Sequence, residues 1–275
     1  MRFVFFKRVV FLVVLMLVFG LGVCYAAKKK RQTTVSCRAV LFSDATKGKR
    51  LYSKQETLKV LPASTTKVMT AILVMERLSL DQYVTVHRAA TLVQPSRINV
   101  RPGEKYKVRD LLYAMLLNSA NDASVVLAQA VAGSEANFVN LMNRRAYQLG
   151  AKSTRFTNSN GLPTKVRQYT TAYDMYLIFR QALKYPFFRQ AIRLHYMTIT
   201  SSTGRRIGLK SHNKILFSDW KKKIYGKTGY TRSAGACFVG TVAKGNSDLI
   251  IAVFDCDKRW DYIKRMVSRY GGLAL

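Results

Sequence analysis

Between Thr66 and Leu78 the chain reads TKVMTAILVMERL, apolar on every side apart from Lys67 at one end and a Glu-Arg pair at the other. A helix of this kind has no polar face to give to water, so it belongs in the middle of a domain, covered all round. Pro62 marks its start. A lysine at such a place is costly, because burial disfavours the ammonium form and lowers the amine's pKa. Three residues earlier stands Ser64, on the same face and one turn away. The positive field of a helix N-terminus favours negative charge developing on that hydroxyl. A neutral amine beside it can take its proton, which makes the pair a nucleophile with its general base. The competing structural reading is a lysine that snorkels to the surface from an apolar helix. Ser-x-x-Lys also occurs at Ser211–Lys214 and Ser218–Lys221, but neither copy opens a buried helix.

Two further motifs follow in order. Ser119-Ala120-Asn121 falls in a polar break between two helical stretches, where short side chains can be aimed into a cleft. Its structural alternative is a helix cap, with Asn121 or Asp122 starting the next helix. Lys227-Thr228-Gly229 occurs once, in a strand-like segment. Gly229 lets a substrate backbone approach a strand edge closely, and Lys227 and Thr228 can meet a carboxylate by charge and hydrogen bond. Strand alternation sends those two side chains to opposite faces, and the plain alternative is a glycine-containing turn. Ser-x-x-Lys, Ser-x-Asn and Lys-Thr-Gly in this order are far more specific than any one of them.

The charge balance narrows the partners. The 275 residues carry 46 Lys+Arg against 14 Asp+Glu, a formal charge of +32. Such a surface attracts polyanions: nucleic acid, anionic lipid head groups or anionic wall polymers. The opening MRFVFFKR is a positive stretch, and Val9 to Ala27 is an uncharged, mostly apolar run of 19 residues ending Cys24-Tyr25-Ala26-Ala27. Residues 1–27 therefore read as a cleaved signal peptide or a retained membrane anchor, and both export the remainder. Export to the periplasm or the outer face of a bacterial inner membrane removes nucleic acid as a partner. Residues 28–34 read as a polar linker. Of four cysteines, Cys24 lies in the leader, and Cys37, Cys237 and Cys256 sit in strand-like segments. An odd three cannot all pair internally, so they read as buried thiols.

Strand-like pieces (VSCRAVLFSD, KRLYSK) precede the apolar helix. The region of roughly 85–192 is mainly helical, with VRDLLYAMLLN, NDASVVLAQAV, EANFVNLMNRRAYQLG and TAYDMYLIFRQAL as its helices. Alternating strands then return in HYMTITSS, KKIYGKTGYT, GACFVGTVA and DLIIAVFD, and WDYIKRMVSRY closes the chain as a helix. Strands at both ends with helices between predict a mixed α/β (α+β) fold. Its antiparallel sheet is built from both chain ends and flanked by helices, with an all-helical subdomain inserted. The cleft at that junction is the expected place for chemistry.

LPASTTKVMTAILVME, RPGEKYKVRDLLYAMLLNSANDASVVLAQAVAGSEANFV, LGAKSTRFTNSNGLP, HNKIL and YGKTGYTRSAGACFVG together resemble the low-molecular-mass penicillin-binding proteins, specifically the serine D-alanyl-D-alanine carboxypeptidases. The resemblance runs from about Cys37 to the last helix. It implies a penicillin-binding protein/β-lactamase-like transpeptidase fold for residues 35–275. Ser64 would be the acylated nucleophile, Lys67 its base, and Ser119 a proton relay to the leaving amine. Asn121 would hold the substrate amide. Lys227 and Thr228 would bind the terminal carboxylate, with Arg259 assisting. The backbone N–H groups of Ser64 and Tyr230 would form the oxyanion hole, and Gly229 would lie along the substrate. The implied substrate is a peptidoglycan stem peptide ending in D-Ala-D-Ala, with β-lactams as covalent mimics and with no cofactor. Many members carry a second, β-rich domain after the catalytic one; this sequence stops at GGLAL after the closing helix. Asn160 in N-S-N-G-L stands where some members have histidine.

Rival readings remain at this level. A class A β-lactamase uses a glutamate between the second and third motifs to drive water into the acyl bond, and here the only glutamate in that interval is Glu135. A zinc peptidase lacks support, because His87, His195 and His212 have no ligand spacing. A non-catalytic polybasic protein bound to wall or membrane, with the same fold, is the alternative from outside enzymology.

Overall fold

The two ends of the chain pair with each other. In the computed structural model, which describes residues 35–275, a five-stranded sheet has the order β2-β1-β9-β8-β7. Its strands are β1 (Cys37–Asp44), β2 (Lys49–Lys54), β7 (Tyr225–Thr231), β8 (Gly235–Lys244) and β9 (Ser247–Cys256), and every neighbouring pair is antiparallel. The leader, the linker and Cys24 lie outside the described residues. β1, β8 and β9 are buried along most of their length, which their continuous apolar runs require. β7 is an edge strand, with no strand paired on its outer side.

The apolar helix is α1 (Lys67–Arg77), buried from Lys67 through Val74. It packs against α2 (Val108–Leu117), α3 (Asn121–Ala132), α4 (Glu135–Gln148) and α5 (Ala172–Ala182), which explains why no side of it is polar. Gly133 and Gly150 end α3 and α4 at positive φ, as expected for glycine after a helix. The larger apolar core fills the space between these helices and one face of the sheet. On the other face lies α6 (Arg259–Gly271), whose buried Tyr262, Ile263, Met266 and Val267 recur at helical spacing.

Two findings differ from the expectations. The segment HYMTITSS does not join the main sheet: β5 (Tyr196–Thr200) pairs with β6 (Arg206–Lys210) in a separate two-stranded sheet, as do β3 (Tyr83–Thr85) and β4 (Lys105–Lys107) within the helical region. Cys37 and Cys256 are not buried thiols but a disulfide. They are cross-strand partners at the ends of β1 and β9, an opposition made by the register of two strands 219 residues apart. Among the described residues Cys237 alone stays a buried free thiol, and burial pushes its pKa up to about 12.

Asp122 ties the helical region to the loop between β3 and β4. It is fully buried, and its carboxylate accepts hydrogen bonds from the backbone N–H groups of Ile98 (3.0 Å), Val100 (3.2 Å) and Ala123 (2.9 Å). The structural alternative for this stretch, a helix cap at Asn121 or Asp122, does not apply, because Ala120 occupies that position. Replacing it (Asp122→Ala) strands three N–H groups on buried residues, at about 1–3 kcal/mol each. Urea unfolding should therefore show a loss of about 3–5 kcal/mol, with Asp122→Asn in between; wild-type stability in Asp122→Ala would refute this role.

Candidate active site

The chain enters the site from Val60, bridged to Thr170, and turns at Pro62 and Ala63, the latter at φ +46°. Ala63–Thr66 forms a 3₁₀ turn, and only at Lys67 does the α-helical part begin. Ser64 thus lies in a tight lead-in rather than in the first turn of α1, and it is half-buried. Lys67 does not snorkel. Its side chain is wholly buried, and Nζ lies 3.1 Å from Ser64 Oγ, 2.7 Å from Asn121 Oδ1 and 2.7 Å from the Asn160 carbonyl oxygen.

That coordination fits an uncharged amine. Two of the three neighbours are carbonyl oxygens that accept only, so they take the two N–H bonds of an –NH₂ group. In that neutral form the lone pair is left for the serine hydroxyl, whereas in the charged form Nζ donates to Ser64 Oγ as well. Burial, followed by the field of Lys227, holds the Lys67 pKa well below its ordinary value, and Asp122 acts in the opposite sense. The arrangement therefore stores a base on the atom that needs one.

Each carbonyl is fixed from behind. Asn121 begins α3, its backbone N–H donates to Ser96 O (2.8 Å) and its Nδ2 to Gln94 O (2.8 Å), which leaves Oδ1 aimed at Lys67. The loop bearing Asn160 is gripped at Ser159, whose carbonyl accepts from Thr70 Oγ1 (2.6 Å) and Ser124 Oγ (2.8 Å). Glu135 accepts from both Ser159 N (2.9 Å) and Ser159 Oγ (2.6 Å). Gly161 must be glycine: at φ +85°, an added Cβ would fall 1.8 Å from Ala63 O and 2.9 Å from Thr66 Oγ1. Asn160, noted in the sequence only as a departure from a pattern, acts through its main chain. No side-chain signal announces such a contact.

Ser119 takes a left-handed conformation (φ +57°) in the break before α3. Its Oγ accepts a hydrogen bond of 3.0 Å from Lys227 Nζ, which also donates to Thr228 O (3.0 Å). The strand alternation anticipated from sequence holds. Lys227 is opposite Val239, in the helix-facing core, whereas Thr228 is opposite Phe238, in the core beneath α6. The two side chains of this edge strand therefore leave it on opposite faces. Burial and the nearby Arg259 lower the Lys227 pKa to about 7.

Gly229 has a role the sequence reading did not assign. A Cβ there would lie 3.1 Å from Ala63 Cβ, 3.1 Å from Ser64 N and 3.2 Å from Pro62 O, so its absence lets β7 press against the nucleophile's turn. Tyr230 follows and is 70% exposed. Arg259, the first residue of α6, donates from Nη1 to Gly229 O (3.0 Å) and Cys237 O (2.6 Å), while its Nε has no partner. Its guanidinium is therefore bound to the back of β7, behind the Lys-Thr-Gly segment. Burial lowers its pKa to about 10. The Ser211 and Ser218 copies of Ser-x-x-Lys take no part in this cluster: Ser218 Oγ donates to its own turn at Ile215 O, and Ser211 Oγ accepts from Asn213 N.

Ser64, Lys67 and Asn121 are thus joined by direct side-chain contacts, and Ser119 and Lys227 by another, with Thr228, Gly229, Tyr230 and Arg259 along the adjoining edge strand and behind it. A family model described as D-alanyl-D-alanine carboxypeptidase matches residues 26–258. The D-alanyl-D-alanine carboxypeptidase DacF of Bacillus subtilis is 32% identical over 237 residues, covering 82% of this chain; the chain spans only 59% of that relative. DacB2 of Mycobacterium tuberculosis, another D-alanyl-D-alanine carboxypeptidase, is 34% identical over 78% of this chain and 72% of its own length. A solved variant of the Streptomyces K15 DD-transpeptidase superimposes with a TM-score of 0.80 at 26% identity, covering 87% of this chain and 99% of the other. The fold, the matched length and the arrangement around Ser64 agree, and the chain belongs to the D-alanyl-D-alanine carboxypeptidase family.

Proposed function

We propose that the protein is a serine D-alanyl-D-alanine carboxypeptidase that trims peptidoglycan stem peptides through an acyl-enzyme on Ser64. The observation that carries this reading is the buried Lys67 amine, held by two carbonyl oxygens with its Nζ 3.1 Å from Ser64 Oγ and its pKa lowered by burial. Lys67 takes the hydroxyl proton as Ser64 attacks the carbonyl between the two D-alanines. The backbone N–H groups of Ser64 and Tyr230 hold the developing oxyanion, each donor of this type contributing about 3–4 kcal/mol. Lys227 and Thr228 hold the terminal carboxylate, with Arg259 adding positive charge behind the strand. Ser119, bonded to Lys227, passes a proton to the departing amine. Water then releases the shortened peptide.

Glu135 bears on the β-lactamase alternative. Its Oε1 already accepts two bonds from Ser159, so the carboxylate serves to hold the Asn160 loop rather than to activate water. A β-lactam that acylates Ser64 should remain attached, which makes the protein a penicillin target. The assembled side-chain cluster likewise weighs against a non-catalytic wall- or membrane-binding protein. The Cys37–Cys256 disulfide supports export to an oxidising compartment such as the periplasm, since cytosolic thiols are kept reduced. The basic surface would favour anionic wall or membrane polymers there.

A fluorescent penicillin should label the wild type covalently and leave Ser64→Ala unlabelled, while free D-alanine appears only with the wild type. Fast nitrocefin turnover without a persistent adduct would overturn the assignment.

The pH profile should be bell-shaped. The active form has Lys67 neutral and Lys227 charged; low pH protonates Lys67, and high pH discharges Lys227 from about 7 in the free protein. A bound carboxylate stabilises the Lys227 ammonium, so the descending limb of kcat should lie at higher pH than that of kcat/KM. Coincident descending limbs would show that Lys227 does not meet the substrate's charge.

A further inference from the structure

Arg259 is the first residue of α6, and its Nη1 spans one rung of the sheet, from Gly229 O on β7 (3.0 Å) to Cys237 O on β8 (2.6 Å). Its position is set by the stretch just before it, where β9 passes into α6 through Asp257 and Lys258 alone. That stretch has little hold on β8. β9 carries a bulge in which Phe254 and Asp255 stand against the single residue Cys237, and past it only Cys256 is paired, with Ala236. Asp255 is left-handed at φ +52°, a conformation that costs an L-residue free energy. Lys258 cannot accept the N–H groups of a helix start. The chain beyond the bulge is tied instead to the start of β1. Arg38 faces Asp255 at 3.8 Å, Cys37 is bonded to Cys256, and Ser36 O accepts from Asp257 N (3.1 Å). The ion pair is exposed at both ends and contributes little. The covalent bond, three residues before Arg259, is the tie that cannot slip.

Resting on the carboxypeptidase reading, we propose that the Cys37–Cys256 disulfide is a positioning bond for substrate capture: it holds the junction of β9 and α6 so that Arg259 stays against Gly229 O and Cys237 O, behind the strand that receives the substrate's carboxylate. Without the bond the junction drifts on its bulge and the guanidinium leaves the back of β7. Ser64, Lys67 and Asn121, bonded among themselves on the helical side, stay in place. The competing account is that the packing of Tyr262 and Ile263 fixes Arg259 without help.

Lys227 reports the difference. Lys67, His212 and Arg259 are the titratable groups that share its field, and of these only Arg259 is attached to the junction. A displaced Arg259 no longer lowers the Lys227 pKa, so the descending limb of kcat/KM moves to higher pH. The test compares wild type, Cys37→Ala/Cys256→Ala, Arg259→Ala and their combination on a peptide ending in D-Ala-D-Ala. Losing the disulfide should move the limb up by about half a pH unit or more and raise KM about fivefold, with kcat nearly unchanged. In the Arg259→Ala background the same loss should move neither, although urea unfolding shows it destabilising both proteins. A limb that stays in place, or a KM rise as large without Arg259 as with it, overturns the proposal. Should the double cysteine variant not fold, folded wild type opened by a dithiol supplies the comparison: the reductant's sulfurs pair as the Cys37–Cys256 bond breaks to two thiols. Fluorescent penicillin separates the failures: a labelled wild type with an unmoved limb sinks the positioning role alone, whereas an unlabelled wild type sinks the carboxypeptidase reading.

Discussion

An amine enclosed by protein and bonded to two carbonyl oxygens has one direction left in which to act. Here that direction is the hydroxyl of Ser64. Water would supply competing donors and acceptors and would stabilise the ammonium form; its exclusion keeps the base a base. Most of the helical region contributes to this one circumstance. The four helices around α1 keep Lys67 dry, α3 brings in Asn121, and the loop after α4 brings in the Asn160 carbonyl.

The two carbonyls stay in place because each is anchored at depth. Asn121 is held through both its main chain and its amide nitrogen, and the next residue, Asp122, pins the loop that receives those bonds. On the other side, Thr70, Ser124 and Glu135 converge on Ser159, one residue before the carbonyl that matters. Two glycines then set the distances between layers: Gly161 lets the loop approach Ala63, and Gly229 lets β7 approach Ser64. A site held this way owes its precision to the packing of backbone against backbone, more than to the reacting side chains themselves.

What was legible in the sequence follows from this division. The apolar surround of Lys67 revealed a buried helix, because a side chain's polarity reports directly on its surroundings. The order of the three short motifs was legible for the same reason, being carried by side chains. The Asn160 contact is a main-chain carbonyl, which every residue has, so its sequence carries no mark. Asp122 looked like a cap because an acid at a helix start often is one; its actual partners, Ile98 and Val100, depend on a loop lying 22 to 24 residues away. The Cys37–Cys256 bond was hidden in the register between the first and last strands. Counting three cysteines could not show which two would be opposed.

The electrostatics of the cluster give a reason for the kind of ligand it takes. Lys67, Lys227 and Arg259 all have lowered pKa values, chiefly through burial, and the lysines are pushed further by a neighbouring cation. Near the same lysines, the shielding of its ring and their charges bring His212 down to about 4. Asp122 raises Lys67 again, but its oxygens are committed to backbone N–H groups. The cleft is therefore short of negative charge by construction. In the proposed reaction a carboxylate at Lys227 would relieve that shortage and favour the ammonium there, so the cluster's lack of negative charge suits it to an anionic ligand.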